Sequence, residues 1–142
     1  MLNEPFYMRA FELCGASLEV ALDPDLERPF SRRFLDAVHW FGEAVRETSP
    51  AAKVIKFVTA LERMVMTEKT NKINRTLSDR IAALCFDQAI PASFAQWKSD
   101  ARNLYDIRSD LVHGSISPND GRVLQGIVLG TKLCEATLLN AI

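Results

Sequence analysis

The sequence predicts an all-α protein, an antiparallel helical bundle of about five helices behind a short N-terminal extension. Apolar residues recur at helical spacing along most of the chain after residue 30. Prolines and small polar residues of the kind that begin helices separate these periodic segments. The length of 142 residues, with 48% hydrophobic and 25% charged content, fits one globular domain. We therefore divide the chain into an extension, residues 1–30, and a bundle, residues 31–142.

The first two predicted helices each have a regular apolar face. Ser31 is the expected N-cap of the first, and Pro50 follows Ser49 at the start of the second. The repeating residues are Phe34, Val38, Phe41 and Val45 in the first helix, and Val54, Val58, Leu61 and Val65 in the second.

The third helix is shorter and the fourth is long. Thr76 and Asp79 have capping-box spacing at the start of the third, which then buries Leu77, Ile81 and Leu84. Pro91 and Ser93 separate it from the fourth helix, which we place at residues 93–113.

The loop GSISPND precedes the fifth helix. Ser117 is its predicted N-cap, Pro118 its first-turn proline and Asp120 its N3 acid. The apolar positions are Val123, Ile127, Cys134 and Leu138. Gly126 and Gly130 lie on the same helix, where small residues permit a close approach to another helix or to a second copy of the chain.

The first 30 residues are less regular. The stretch PFYMRAFELCGASLEVAL is compatible with a helix broken near Gly15 or with two short extended pieces, and the pattern favours the helix. The polar segment DPDLERP that follows is turn-like and predicts the boundary with the bundle.

Composition and charge exclude several classes of protein. The N-terminus lacks a signal-peptide pattern, and no apolar run approaches the ~18 residues that span a bilayer, so we expect a soluble cytoplasmic protein. Cys14, Cys85 and Cys134 lie far apart among apolar neighbours, which predicts buried thiols. With only two histidines in the chain, a zinc site is not expected. A net charge of −1 excludes the global basic field of a non-specific nucleic-acid binder.

The run LYDIRSDLVHG, residues 104–114, contains an unusual arginine and histidine. On an ideal helix Arg108 lies near the centre of an apolar stripe, so it needs a carboxylate partner or a cleft to face. His113 lies about 140° away from it on an ideal helix, and Gly114 favours an unwound last turn. The stripe comprises Phe94, Trp97, Ala101, Leu104, Tyr105, Leu111 and Val112. A purely structural reading also fits, with Arg108 at the rim and His113 at the negative end of the helix dipole.

This run resembles the signature of the HEPN superfamily, named for higher eukaryotes and prokaryotes nucleotide-binding domains, and in particular of its ApeA-like branch. The superfamily motif is an arginine, four to six residues and a histidine near the end of a bundle helix. The segments FVTALERMV and INRTLSDRIAALC are similar to that branch's second and third helices, so the resemblance covers roughly residues 34–140. The residues of this chain that carry the motif are Tyr105, Arg108, Ser109, Val112, His113 and Gly114.

The resemblance implies a helical bundle, commonly a two-fold dimer, and in many members a ribonuclease that needs neither metal nor cofactor. Such proteins act as toxins or as effectors of defence against phage. Arg108 would stabilise charge on the phosphate, and His113 would take the proton of an RNA 2′-hydroxyl or return one. The product would be a 2′,3′-cyclic phosphate. Two chains meeting at these residues would concentrate positive charge that the monomer's net charge conceals.

Other residues have a functional and a structural interpretation. The position of Ser109 is often Asn, Asp or His in active members, and a hydroxyl can still contact phosphate. Glu62 either pairs with Arg108 and aims its guanidinium or is a solvated acid beside Arg63. Lys69, Lys72 and Arg75 either touch RNA phosphates or belong to a solvated loop. Tyr105, Trp97 and Trp40 could stack on bases, although their spacing is typical of a core.

Two functional classes remain open. The first is a homodimeric endoribonuclease that uses Arg108 and His113 and is held in check by an inhibitory partner or by another domain. The second is a non-catalytic module for dimerisation, nucleotide binding or protein binding. The intact arginine, histidine and Gly114 favour the first class, and Ser109 favours the second.

Overall fold

The computed structural model describes residues 4–142, which form six α-helices and no strand. The helices are α1 Glu4–Leu22, α2 Pro29–Arg46, α3 Pro50–Val65, α4 Ile73–Cys85, α5 Ala92–Val112 and α6 Gly121–Asn140. The predicted all-α bundle is confirmed, with α2 to α6 as its five helices. Residues 1–3 of the predicted extension lie outside the described part of the chain.

Helix α3 lies at the centre of the bundle. It contacts α2, α4, α5 and α6, whereas α1 contacts α2 alone among the described helices. The large side chains that are fully buried come from α3 to α6 and include Phe57, Leu61, Leu77, Ile81, Leu104 and Leu133. Because consecutive helices are joined by short connections, α2 packs beside α3 and α4 beside α5.

The extension is largely one continuous helix, and the break expected near Gly15 does not occur. A single glycine costs a helix only about 1 kcal/mol, so packing on α2 is enough to carry α1 through it. Ser17 and Val20 are buried on that side, while Phe11 and Leu18 are exposed on the other.

The predicted start of α3 is confirmed, and those of α2 and α4 are wrong. The Ser49 hydroxyl accepts a hydrogen bond from the Ala52 backbone N–H at 3.5 Å, with Pro50 in the first turn. Helix α2 begins at Pro29, before Ser31, which lies buried within the helix. Helix α4 begins at Ile73, before Thr76. Neither of the latter two helices has a side-chain N-cap.

The start of α6 is also displaced from its prediction. Asp120 is the N-cap, and its carboxylate accepts from the Arg122 N–H at 2.8 Å. Ser117 instead accepts from the Asn119 N–H at 3.2 Å, within the turn before the helix. Both Ser117 and Asp120 are residue types that cap helices. Ser117 stabilises the turn before α6, and Asp120 caps the helix.

The buried face of α2 is rotated from the predicted one. Val38 and Val45 are 40% and 55% exposed, whereas Ala37 and Ala44 are fully buried. Alanines let two helix backbones approach closely, so the small residues of α2 face the bundle and the valines lie outside it.

Two of the three predicted buried thiols are confirmed. Cys85 and Cys134 are buried, and burial raises the pKa of both thiols. Cys14 is exposed, contrary to the prediction, because α1 has only one covered face. The buried pair therefore serves as small apolar residues.

The two glycines of α6 make close contacts within the chain. A Cβ placed on Gly126 would meet Val54 at 3.0 Å and Ile107 at 3.2 Å. One on Gly130 would lie 2.6 Å from the Phe57 ring. These glycines therefore allow α6 to approach α3 and α5.

We expect Gly130→Ala to lower the free energy of unfolding by about 1–3 kcal/mol, because the added methyl group overpacks against the buried Phe57 ring. The matched control is Gly15→Ala, where a Cβ meets nothing within 4 Å and the gain in helix propensity should be about 0.5–1 kcal/mol. Chemical denaturation of both variants measures the effect. Equal stability changes at the two positions would show that α6 does not approach α3 as described.

None of the six helices combines the length and the apolar character needed to span a membrane.

Candidate functional site

A pocket of about 750 Å³ lies at one side of the bundle, between α2, α3, α5 and the loop that joins α3 to α4. We call it the arginine pocket. Arg33 comes from α2, Glu62 from α3, Lys69 from the loop, and Tyr105 and Arg108 from α5. Four of these five residues were predicted as site residues from the sequence, and Arg33 was not.

Arg108 lies at the edge of the buried face of α5. Leu104 and Ile107 fill the core, and Val112, predicted to be part of the stripe, is 53% exposed. The prediction that Arg108 needs a carboxylate partner or a cleft is met by the cleft, since Arg108 lines the pocket and its Nε is buried without a hydrogen-bond partner. The guanidinium carbon lies 5.6 Å from the centroid of the Tyr105 ring, which is within cation–π range.

Glu62 lies in the same pocket. Burial raises the pKa of its carboxyl group, and the positive charge of Arg108 partly offsets that rise. Glu62 and Arg108 therefore interact electrostatically, without the hydrogen bond that the predicted pair would form. The buried Nε of Arg108 has no hydrogen-bond partner. An ionised Glu62 is therefore only partly compensated in the folded protein.

We expect Glu62→Gln to stabilise the protein at neutral pH. Because the pKa of Glu62 is higher in the folded state, its contribution to stability is fully present below the unfolded pKa and is lost as the pH rises through the folded pKa. Denaturation of wild type and variant between pH 4 and pH 8 should show their stabilities diverging as the pH rises. A difference that stays constant over this range would contradict the assignment.

His113 ends α5 as predicted, with Gly114 just beyond it at a φ of +74°, the left-handed conformation expected of a C-terminal glycine. His113 is exposed, and its Nδ1 lies 2.8 Å from the Ser109 carbonyl oxygen and 3.2 Å from the Ser109 hydroxyl. A carbonyl only accepts, so Nδ1 carries the hydrogen of this bond. In the neutral imidazole, Nε2 is then the nitrogen able to take a proton.

Six of the eight predicted site residues fall into two groups on one chain. Glu62, Lys69, Tyr105 and Arg108 line the arginine pocket. Ser109 and His113 line neither this pocket nor the groove beside it, and instead lie at the C-terminal end of α5, where His113 is exposed. One chain therefore does not bring His113 into the cavity that contains Arg108.

The remaining predicted phosphate contacts border a second cavity. Lys72 and Arg75 line a groove of about 410 Å³ that shares Tyr105 with the arginine pocket. Both cations are exposed, and Arg75 lies 3.8 Å from Asp79. With Lys69 in the pocket, the three basic residues of this connection follow one continuous concave surface.

Neither tryptophan lines the arginine pocket or the groove beside it. Trp97 is half-buried beneath the Lys132 ammonium, 4.8 Å from the ring centroid. Trp40 is half-buried against the edge of His39. Of the three aromatic residues with two interpretations, Tyr105 alone lines a described cavity.

Acidic residues are positioned by neighbouring cations. Asp110 forms an ion pair of 2.8 Å with Arg122, which ties the end of α5 to the start of α6.

No group of three or more His, Cys, Asp or Glu side chains suited to a metal ion occurs within residues 4–142.

No protein-family model, curated protein or solved structure gives a significant match to this chain.

Proposed function

We propose that this chain is a metal-independent endoribonuclease of the HEPN type in which Arg108 and His113 act on the RNA phosphodiester. The observation that supports this proposal most strongly is the position of Arg108 and its lack of hydrogen-bond partners. Its guanidinium borders a concave surface, its Nε is buried, and no side chain within residues 4–142 forms a hydrogen bond or ion pair with it. The Glu62 carboxylate interacts with this cation only through space, so an RNA phosphate would supply the acceptors that the guanidinium lacks.

The proposed reaction requires one base and one cation. His113 Nε2 takes the proton of a 2′-hydroxyl, whose oxygen attacks the adjacent phosphorus while the bond from phosphorus to O5′ breaks. The leaving O5′ takes a proton from water, His113 returns its proton to the solvent, and the products are a 2′,3′-cyclic phosphate and a 5′-hydroxyl. Arg108 stabilises the negative charge that builds on the non-bridging oxygens. The hydrogen bond from Nδ1 to the Ser109 carbonyl supports this role because it leaves Nε2 as the basic nitrogen.

A homodimer is part of this proposal, since the pocket of one chain does not contain its own His113. Val112 beside His113 is 53% exposed, and Leu124 on the first turns of α6 is 64% exposed. These apolar side chains lie on two helix ends that the Asp110–Arg122 ion pair ties together. Their exposure supports a contact between two copies here, which would bring two histidines to one RNA.

The biological role that fits this proposal is that of a toxin or of an effector of phage defence in the cytoplasm. Unregulated cleavage of cellular RNA harms the cell that makes the enzyme. An inhibitory partner, or another domain on the same chain, would therefore control it.

An oligoribonucleotide carrying one 2′-deoxy residue at a mapped cleavage position tests the chemistry. The fully ribose form should be cleaved in EDTA, and the substituted form should resist cleavage at that position only, because the nucleophile is missing. Cleavage at the deoxy position at an unchanged rate would contradict attack by the 2′-hydroxyl.

A non-catalytic HEPN module for dimerisation, nucleotide or protein binding is the second candidate. The separation of His113 from the arginine pocket on one chain favours it, as does Ser109 beside the arginine. Growth on expression distinguishes the two functions. Toxicity that His113→Ala relieves and His39→Ala does not would support the enzyme, whereas equal growth with all three proteins would favour the module.

A further inference from the structure

The charged groups of the arginine pocket differ in whether they are already neutralised. Asp36 lies 3.3 Å from Arg63, and Glu68 lies 3.2 Å from Arg80. Glu62 is therefore the one carboxylate lining the pocket that forms no ion pair within residues 4–142. The pocket cations that form no ion pair or hydrogen bond within residues 4–142 are Arg33, Lys69 and Arg108. The excess charge of the pocket is therefore positive.

Unsatisfied polar atoms are concentrated around this pocket and the adjoining groove. Few buried side-chain nitrogen and oxygen atoms in residues 4–142 have no hydrogen-bond partner, and three of them belong to Arg33 (Nε), Arg108 (Nε) and Asn74 (Oδ1). Both arginines line the pocket, and Asn74 lines the groove. These three atoms are shielded from solvent, so the donors that a ligand can reach are the terminal nitrogens of the two guanidinium groups, which form no hydrogen bond within residues 4–142.

Tyr105 lies where the two cavities meet, because it lines both of them together with Ile73. The surface thus has two arginine donors in the pocket and an aromatic ring where the pocket meets the groove. The Asn74 amide is not available to a ligand, because its Nδ2 donates to Asp106 at 2.7 Å and its Oδ1 is shielded from solvent. A ligand that fits has an anionic group and a planar ring.

We propose that Arg33, on α2, is a second phosphate-binding residue of the arginine pocket, which acts with Arg108, on α5, on one nucleotide whose base lies beside Tyr105. Two guanidinium groups suit a phosphate because each can donate two parallel hydrogen bonds.

Lys69 adds charge at the rim, and the pocket's volume of about 750 Å³ exceeds what one phosphate needs. This inference does not require the cleavage step, since binding involves neither His113 nor a 2′-hydroxyl. The unit could be a free nucleotide or one nucleotide of an RNA strand, and the experiment separates these sources.

Calorimetric titration of the wild-type chain with adenosine 5′-monophosphate, a 2′-O-methyl tetranucleotide and inorganic phosphate tests the proposal, since none of these probes can be cleaved by 2′-hydroxyl attack. We expect Arg33→Gln to weaken binding of the nucleotide probe about tenfold or more, and Arg33→Lys to give a smaller loss because lysine keeps the charge without the fork. The control is Arg102→Gln, an exposed arginine of α5 outside both cavities, which should bind like wild type.

Binding of the monophosphate as tight as that of the tetranucleotide identifies a free nucleotide as the ligand, and binding of the tetranucleotide alone identifies an RNA strand; both support the site. Absence of nucleotide binding to the folded wild type would overturn it, as would unchanged affinity in Arg33→Gln. Equal affinity for inorganic phosphate and for the nucleotide probes would show that the base makes no favourable contact with Tyr105, which would overturn that part of the proposal. If Arg33→Gln does not fold, Arg33→Lys carries the comparison. Failure of cleavage with intact nucleotide binding would overturn the proposed nuclease and leave this site standing.

Discussion

Replacing His113 with alanine is expected to reduce the rate of RNA cleavage by about 10²–10⁴-fold, the contribution typical of a general acid or base. The fold should survive because the side chain is exposed at the end of α5 and its one structural contact is local, to Ser109. Substitutions of this kind usually change stability by about 0.5 kcal/mol or less. Single-turnover cleavage of a labelled oligoribonucleotide measures the loss.

The matched control for this variant is His39→Ala. His39 is the other histidine of the chain, is exposed on α2, and lines none of the described cavities. It should cleave RNA at the wild-type rate. Equal rates in His113→Ala and His39→Ala would remove His113 from the proposed chemistry.

Replacing Arg108 with alanine is expected to lower the cleavage rate by about 10²–10³-fold, since it removes the cation that stabilises charge on the phosphate. Arg108→Lys should recover only part of that loss, because an ammonium group lacks the planar fork that fits two phosphate oxygens. The variant should be less stable than wild type, because the contact with the Tyr105 ring contributes about 0.5–1 kcal/mol and the charge of Arg108 partly offsets the burial of Glu62. The rates are therefore compared under conditions in which both proteins are folded.

Arg102→Gln, on the same helix, is the control for the Arg108 series and should retain the wild-type rate. The order of rates is the informative result: Arg102→Gln equal to wild type, Arg108→Lys lower, and Arg108→Ala lowest. If Arg108→Lys were as active as wild type, the pocket would need only a positive charge and the proposed two-point contact with phosphate would be wrong.

The long helices were predictable where local chemistry and packing agree. Ser49 and Pro50 begin α3 as expected, because the cap, the proline and the apolar repeat point to the same residue. Gly114 likewise ends α5 in the conformation that its lack of a side chain predicts. In both places one residue type has a specific backbone role.

The sequence was less informative where packing decides. Ser31, Thr76 and Ser117 are good capping residues that cap no helix. Ser31 and Thr76 lie inside helices that begin two and three residues earlier, and at α6 the Asp120 carboxylate is the cap. On α2, alanines replace the expected valines in the core. Periodicity shows that a helix has an apolar face, but neighbouring helices determine which residues of it are covered.

The candidate site was partly predictable for a similar reason. Arg108, Tyr105 and Glu62 carry local signals, an arginine beside an apolar stripe and an acid flanking another, and the structure places all three in one pocket. Arg33 carries no such signal, because SRRF at the start of α2 has the pattern of a solvated first turn. Its place in the pocket follows only from the packing of the bundle, in which α2 and α5 border the same cavity without contacting each other. That arrangement is a tertiary feature, which a single sequence does not contain.

The chemistry proposed for Arg108 and His113 fixes the RNA ends that the purified protein should produce in EDTA. Mass spectrometry of a cleaved oligoribonucleotide should show a 2′,3′-cyclic phosphate on one fragment and a 5′-hydroxyl on the other, and neither product should form with His113→Ala. Fragments ending in a 3′-hydroxyl, or no cleavage by the folded protein, would contradict the proposed nuclease.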